Sequence, residues 1–167
     1  KEETIRICNH IHIPLQSSSD NVLKQMNRKY TLLNFDSVLK KFKKNIPDIS
    51  LTTDVICGFP TETKDDFILT RNFLRDGGFA RLHVFPYSKR KGTKAYDLKQ
   101  ISEQTEINDR LSELLELDKI LRKNFYSKFT GTIRKAVSLR GNQALTDNYL
   151  TVKNIPRQKG IFDVEIK

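Results

Sequence analysis

Apolar and polar positions alternate with period two in three separate stretches. From Ile5 to Leu15, the residues Ile5, Ile7, Ile11, Ile13 and Leu15 share one face, with His10, His12 and Gln16 on the other. From Ser50 to Gly58, Leu51, Thr53, Val55 and Cys57 oppose Thr52, Asp54, Ile56 and Gly58. From Arg81 to Tyr87, Leu82 and Val84 oppose His83, Phe85 and Tyr87. Each stretch predicts a strand, the first ending near Pro14, which cannot donate to a ladder. Helical spacing fills the gaps. A short helix carries Val22, Leu23 and Met26 behind a Ser19 or Asp20 cap. A second carries Phe35, Val38, Leu39 and Phe42, with lysines crowding its end before Pro47. A third buries Phe67, Phe73 and Leu74 between a Thr63–Asp66 capping pair and Gly77-Gly78.

This order of strand, helix, strand, helix and strand has connections long enough for parallel crossovers. Parallel strands are normally apolar on both faces. Here one face of each is polar or aromatic, which fits a closed or partly closed barrel: the apolar face packs on helices and the other lines a lumen. Its site would lie at the C-terminal strand ends. Three strands cannot close a barrel, which takes about eight, and no initiator Met opens the chain. The expectation is therefore the C-terminal half of a barrel, with the other half upstream of Lys1. Residues 94–101 read as a linker. Ser102 then caps a long helix through Phe125, with Ile107, Leu111, Leu114, Leu115, Leu117, Leu121 and Phe125 apolar and Glu106–Arg110 and Asp118–Arg122 as i, i+4 pairs. It reads as a strut between two domains, or as one partner of a coiled coil. After Gly131, short strands at Thr132–Leu139, Gln143–Thr146, Tyr149–Lys153 and Ile161–Ile166 predict a small β-barrel. The domains are thus expected at 1–127 and 128–167.

Charge changes the picture more than composition does. Hydrophobic residues are 37% and charged residues 30%, a globular balance, but the net charge is +10 and favours a polyanionic partner. Residues 128–167 hold eight Lys/Arg against three Asp/Glu, so the short C-terminal unit carries half of the excess. No apolar run approaches the roughly 18 residues of a membrane span, and Lys-Glu-Glu-Thr does not open a signal peptide. Cys8 and Cys57 sit in apolar strand-like runs and read as buried thiols of a reducing, cytoplasmic compartment. His10 and His12 with His83 read as hydrogen-bonding lumen residues; zinc, which imidazoles also suit, is the alternative. The strand leading into Lys89-Arg90-Lys91 could hold a flat ring and a phosphate backbone within one step, or be a core strand followed by a solvated loop.

HIHIPLQSSSDNVLKQMNRKYT, TTDVICGFPTET and RLHVFPYSKRKGTKA, in this order, resemble the second half of a radical S-adenosylmethionine methylthiotransferase. The basic C-terminal piece resembles the TRAM domain of that family, which binds RNA. RLHVFPYSKRKGT with TDNYL looks most like the branch that methylthiolates threonylcarbamoyl-adenosine beside the tRNA anticodon. The fold so implied is α/β: part of an open, TIM-like (β/α) barrel, a long helix and a small all-β TRAM barrel. Such enzymes use S-adenosylmethionine and two [4Fe–4S] clusters, one held by a CxxxCxxC motif whose reduced cluster cleaves the cofactor to a radical. Neither Cys8 nor Cys57 has that spacing, so this chain is expected to hold no cluster ligand and not to catalyse alone.

The resemblance also implies roles. Gln16, Ser17 and Ser19 would face the cofactor's ribose, the serines serving otherwise as a capping and turn cluster. Asp54, Ile56 and Gly58 would line the next strand, Gly58 allowing the adenine close. Phe85 and Tyr87 would give an aromatic wall. Lys89, Arg90 and Lys91 would meet phosphates of the anticodon stem-loop. Arg134, Lys135, Arg140, Lys153, Arg157 and Lys159 would extend that surface, with Tyr149 for stacking. Two positions depart from the family: Ser18 and Thr61 stand where Gly is usual, and a positive φ there would cost about 1 kcal/mol or more. The competing readings are a sister enzyme acting on isopentenyl-adenosine tRNA or a ribosomal protein, and an RNA-binding protein without chemistry.

Overall fold

The computed structural model describes residues 8–167, so Ile5 and Ile7 of the first expected strand lie outside the described residues. Six elements alternate as the periodicity requires: β1 (His10–His12), α1 (Asp20–Gln25), α2 (Leu32–Asn45), β2 (Ser50–Cys57), α3 (Lys64–Asp76) and β3 (Arg81–Pro86). The strands pair in parallel in the order β1-β2-β3, with His12 opposite Thr52, Asp54 opposite His83 and Ile56 opposite Phe85. Local chemistry sets the helix starts. Ser19 accepts from the Val22 amide to begin α1, and reciprocal capping boxes join Thr31 to Asn34 and Thr63 to Asp66. Of the glycine pair after α3, only Gly78 takes a positive φ; Gly77 stays helical.

On the apolar face of the sheet, Leu15, Leu51, Val55, Cys57 and Leu82 pack with Phe35, Leu39, Phe67 and Leu74 into one core. Val38 and Leu115, expected inside, are 39% and 44% exposed, at the margins of their helical stripes. The thiols also differ: Cys57 is buried but Cys8 is exposed. Cys8 precedes β1 rather than lying within the sheet, and its exposure corrects the expectation of two buried thiols.

The long helix α4 (Gln104–Ser127) starts after Glu103, which makes no side-chain cap. Ser102 does not cap it; its hydroxyl donates to the Glu62 carbonyl at 3.4 Å. Leu114, Leu117 and Leu121 of α4 join the first core, while Phe125 belongs to a second with Ala80, Phe129, Ala136, Val152 and Ile166. That second core reaches back across residue 128. Its strands β4 (Ile133–Leu139), β5 (Gln143–Thr146), β6 (Thr151–Lys153) and β7 (Ile161–Glu165) form an antiparallel sheet in the order β6-β5-β4-β7. Among the described residues both outer strands remain edges. The ladder is an open sheet where the turn spacing predicts a barrel, because β6 has only three residues and pairs with β5 alone.

Gly58 shows what α4 demands of the sheet. Its φ is +76°, and an added Cβ would sit 2.6 Å from Cγ2 of Ile107. Gly141 has a similar φ of +73° with open space around it. Gly141→Ala should therefore cost only the backbone penalty, about 1–2 kcal/mol, and Gly58→Ala a further 1–3 kcal/mol for overpacking. Urea unfolding of both variants checks this; equal losses would mean that α4 yields freely.

Candidate functional site

Beyond β1 the chain turns at Gln16, whose φ is +68°, and re-enters the sheet in a single bridge to Val55. The Gln16 amide donates to the Asp54 carbonyl at 2.8 Å, and the Ile56 amide donates to the Gln16 carbonyl at 2.9 Å. The Tyr87 amide donates to the Cys57 carbonyl at 2.8 Å. These bonds bring three strand ends abreast, and a cavity of ≈ 760 Å³ opens over them. Gln16, Asp54, Ile56, Phe85 and Tyr87 all line it. Its size lies within the range of small-molecule sites.

The other expected cofactor residues point elsewhere. Ser17 and Ser19 are 0% and 3% exposed and do not line the cavity. The Ser17 hydroxyl lies 3.3 Å from that of Thr70 and accepts from the Ser19 amide, and Ser19 donates to Asp66 at 2.5 Å. Both serines thus tie α1 to α3, the capping and turn alternative. Gly58 approaches Ile107 of α4 rather than the cavity.

Several lining residues have no role assigned from the sequence. Arg28 donates through Nη2 to Oε1 of Gln16 at 3.0 Å and fixes that side chain. Phe59 meets Tyr87 edge-on with centroids 5.2 Å apart, and the Tyr87 hydroxyl donates to the Ala95 carbonyl at 3.1 Å. Phe85 is 48% exposed, a bare ring at the strand tip. Arg28, Arg90 and Lys94 face the cavity against Asp54 alone among the described residues, so its wall favours a ligand with an anionic group. Arg28 lies within the MNRKYT run, but the turn that aims it into the site depends on Asn27 at φ +59°, which spacing does not disclose.

A model of the radical SAM superfamily matches residues 2–74. The threonylcarbamoyladenosine tRNA methylthiotransferase of Bacillus subtilis is 39% identical over 88% of this chain and 35% of its own length. That of Aquifex aeolicus is 39% identical over 89% of this chain and 36% of its own. The tRNA-2-methylthio-N(6)-dimethylallyladenosine synthase of Clostridium tetani is 40% identical over 70% of this chain and 26% of its own. The chain belongs to the radical SAM methylthiotransferase family. It spans about a third of the length of the first two relatives. The parallel sheet of this family member fits part of a TIM-like barrel, with the antiparallel sheet set apart from it.

Of the departures noted against the family, neither Ser18 nor Thr61 adopts a positive φ. The loops absorb both side chains with ordinary backbone. Their hydroxyls, however, are buried without a hydrogen-bond partner.

The polar face below the cavity is a connected network. Thr52 Oγ1 lies 3.2 Å from His10 Nε2 and 2.9 Å from His12 Nδ1. His12 Nε2 is 3.3 Å from Asp54, and His83 Nδ1 is 3.8 Å from the same oxygen. Among the described residues no group of three or more His, Cys, Asp or Glu side chains is arranged to hold a metal ion. Burial, then the neighbouring His12 and His83, holds His10 below the usual histidine value. Burial, then Arg81, lowers His83, while Asp54 opposes the shift.

The basic positions separate by partner. Lys89, Arg90 and Lys91 are exposed, with Lys89 over the Tyr96 ring at 5.7 Å. Arg140, Lys153, Arg157 and Lys159 are exposed as well. Arg134 instead grips Asp147 through two bonds of 2.8 and 2.9 Å, lies over Phe129 and is only 14% exposed, so its charge is neutralised inside the unit. Lys135 pairs with Asp163 at 2.9 Å. Tyr149 stacks on His10 at 3.9 Å, which takes one of its two faces.

Two outcomes are expected from this geometry. Ser18→Ala should stabilise the chain by about 1 kcal/mol, since a buried hydroxyl without a partner costs about that or more; an unfolding midpoint lowered by the change would show that the hydroxyl is satisfied. The pH dependence has a definite sign. The unfolded chain protonates its histidines near 6.5, above the folded values of His10 and His83, so it binds more protons as pH falls. Their contribution is fully present above about 6.5 and is lost as pH falls through the folded values. His10→Phe keeps a ring against Tyr149 and should flatten the fall in unfolding midpoint between about pH 7 and pH 5; an unchanged slope would assign it to other groups.

Proposed function

We propose that this chain is the cofactor wall and RNA-binding part of a tRNA methylthiotransferase acting on threonylcarbamoyl-adenosine beside the anticodon. The observation that carries this reading is the cavity over the three strand ends, in a chain whose relatives of that activity match it along nearly 90% of its length. Its residues fit S-adenosylmethionine. Gln16 and Asp54 offer acceptors for ribose hydroxyls, Ile56, Phe85 and Tyr87 offer flat apolar surface for an adenine, and Arg28 offers a cation for a carboxylate. The cofactor supplies the radical chemistry when bound; this chain binds it, orients it and screens it from water.

The thiols do not fit an iron–sulfur cluster. Burial, followed by the nearby Glu62 carboxylate, pushes Cys57 up to about 12, and Cys8 stands alone on the surface. Cluster ligation takes thiolates in register. We therefore place the cluster ligands in the two thirds of a relative's length that this chain does not span, and expect these 167 residues alone to be inactive. The partner in this reading is the tRNA anticodon stem-loop, met by Lys89, Arg90, Lys91, Arg140 and Lys153.

The dimethylallyladenosine synthases among the relatives, that of Clostridium tetani included, favour a second reading on isopentenyl-adenosine. Nucleoside analysis of tRNA from a strain lacking the gene separates the two. The methylthio mark should vanish from threonylcarbamoyl-adenosine and return with the intact gene. It should return at between about a fifth and a hundredth of that level when Tyr87→Ala is supplied, since stacked rings are worth about 1–3 kcal/mol. Loss of the mark from isopentenyl-adenosine alone would overturn the assignment.

A further inference from the structure

A second groove, ≈ 460 Å³, lies at the opposite end of the strands. It is bounded by the starts of β2 and β3, the C-terminal half of α4 and the turn into β6. Arg81 lines this groove and Pro86 lines the cofactor cavity. They are five residue steps apart along the strand, roughly 17 Å at 3.3 Å per step.

Its chemistry is one-sided. Arg81, Lys119, Arg122 and Lys123 line it, and no carboxylate does among the described residues. The nearest acids sit behind the wall. Asp118 is 3.6 Å from Arg122 but is itself buried, its Oδ1 accepting from the Leu82 amide at 2.8 Å. Glu116, which does not line the groove, pairs with Lys119 at 2.8 Å. Arg81 and Lys123 make no ion pair among the described residues.

The groove also has a flat apolar wall, held in a strained backbone. Tyr149 adopts φ +66°, a conformation that an aromatic residue rarely takes. The turn that forces it is tightly bonded. Thr146 Oγ1 donates to Asn148 Oδ1 at 2.6 Å, accepts from the Leu150 amide at 2.9 Å, and the Asp147 amide reaches the Lys135 carbonyl at 2.9 Å. The ring so presented lies parallel to His10, with planes 9° apart, while the residue as a whole stays 46% exposed and lines the groove. A supported ring with a free face beside four cations matches a base with its adjoining phosphates.

We propose that this groove binds an RNA strand, its phosphates on Arg81, Arg122 and Lys123 and one base on the free face of Tyr149. This deepens the tRNA reading and rests on it. The cations of α4 belong to neither basic segment singled out in the sequence, which reads Arg122 only as half of a helical ion pair.

The test is binding of a labelled anticodon stem-loop RNA to the full chain across a salt series. Three variants are compared: Arg81→Gln/Arg122→Gln/Lys123→Gln, Lys89→Ala/Arg90→Ala/Lys91→Ala and Tyr149→Asn, Asn being tolerant of positive φ. The groove triple should reduce the slope of log affinity against log salt by about 2–3, near 0.7–0.9 for each phosphate no longer neutralised. Tyr149→Asn should weaken binding about five-fold to a hundred-fold with little change in slope. All three groove charges are exposed, but Arg122 also pairs with the buried Asp118. Circular dichroism and a fourth variant, Arg81→Gln/Lys123→Gln, which leaves that pair intact and should reduce the slope by about 1.4–1.8, therefore separate lost binding from lost folding. A full slope in the groove triple beside a reduced slope in the loop triple would overturn the groove and leave the tRNA reading intact. No RNA binding by the parent chain would overturn both. Equal competition by polyglutamate at matched charge would show a site for acidic protein instead, and overturn the proposal.

Discussion

The positions of both sites depend on one buried ion pair. Glu62 and Arg110 face each other at 3.2 Å with side chains 2% and 7% exposed. The same carboxylate accepts the Gly58 amide at 3.0 Å, and the guanidinium also reaches the Glu62 carbonyl and lies over the Phe67 ring. Burial pushes the Glu62 carboxyl up, and the Gly58 amide and Arg110 hold it down. Replacing such a pair with apolar residues is often neutral, but deleting one partner costs about 3–5 kcal/mol. Its effect is therefore on register more than on net stability. Sliding α4 by one turn would strand a carboxylate in apolar surroundings and drive Ile107 away from Gly58.

With α4 held there, its length determines the rest. Asp118, two turns beyond Arg110, accepts the Leu82 amide and fixes the start of β3. Two further turns on, Phe125 enters the second core beside Ala80. One rigid rod thus sets the turn under the cavity at the strand ends, the strand that carries Phe85 toward it, and the seat of the C-terminal sheet. The contacts at the far end agree: Arg134 reaches Asp48 at 3.6 Å, and Tyr149 rests on His10.

How much of this the sequence discloses follows from the range of each interaction. Alternation in β2 and the capping box of α3 are local, and they are legible; the Thr31–Asn34 box of α2 is equally local but comes from the structure. So are the i, i+4 pairs Glu106–Arg110 and Asp118–Arg122, which the structure contains at 3.8 and 3.6 Å. Yet in both pairs the partner that matters lies far off in the chain: Glu62 for Arg110, the Leu82 amide for Asp118. A helical spacing rule sees only the neighbour. The serine loop misleads in the opposite sense, because Ser17 and Ser19 follow a strand that points at the cavity but turn back to Thr70 and Asp66. Gly58 reads as a close approach, but to the wrong neighbour. Turn spacing likewise reveals four short strands without showing that β6 is too short to close them into a barrel.

The polar face joins what the rod holds apart. From the groove to the cavity it runs His10, Thr52, His12, Asp54 and His83, each within 3.8 Å of the next hydrogen-bonding atom. Such groups on a half-open sheet are costly unless mutually satisfied. They meet that condition only while Tyr149 covers His10 at one end and Asp54 remains in the cavity wall at the other. A ligand that draws on Asp54, or a strand that displaces Tyr149, changes the partners available to all five. The lumen face is therefore polar for a reason beyond solvent contact: it runs from Thr52 in the groove wall to Asp54 in the cavity wall and so connects the two.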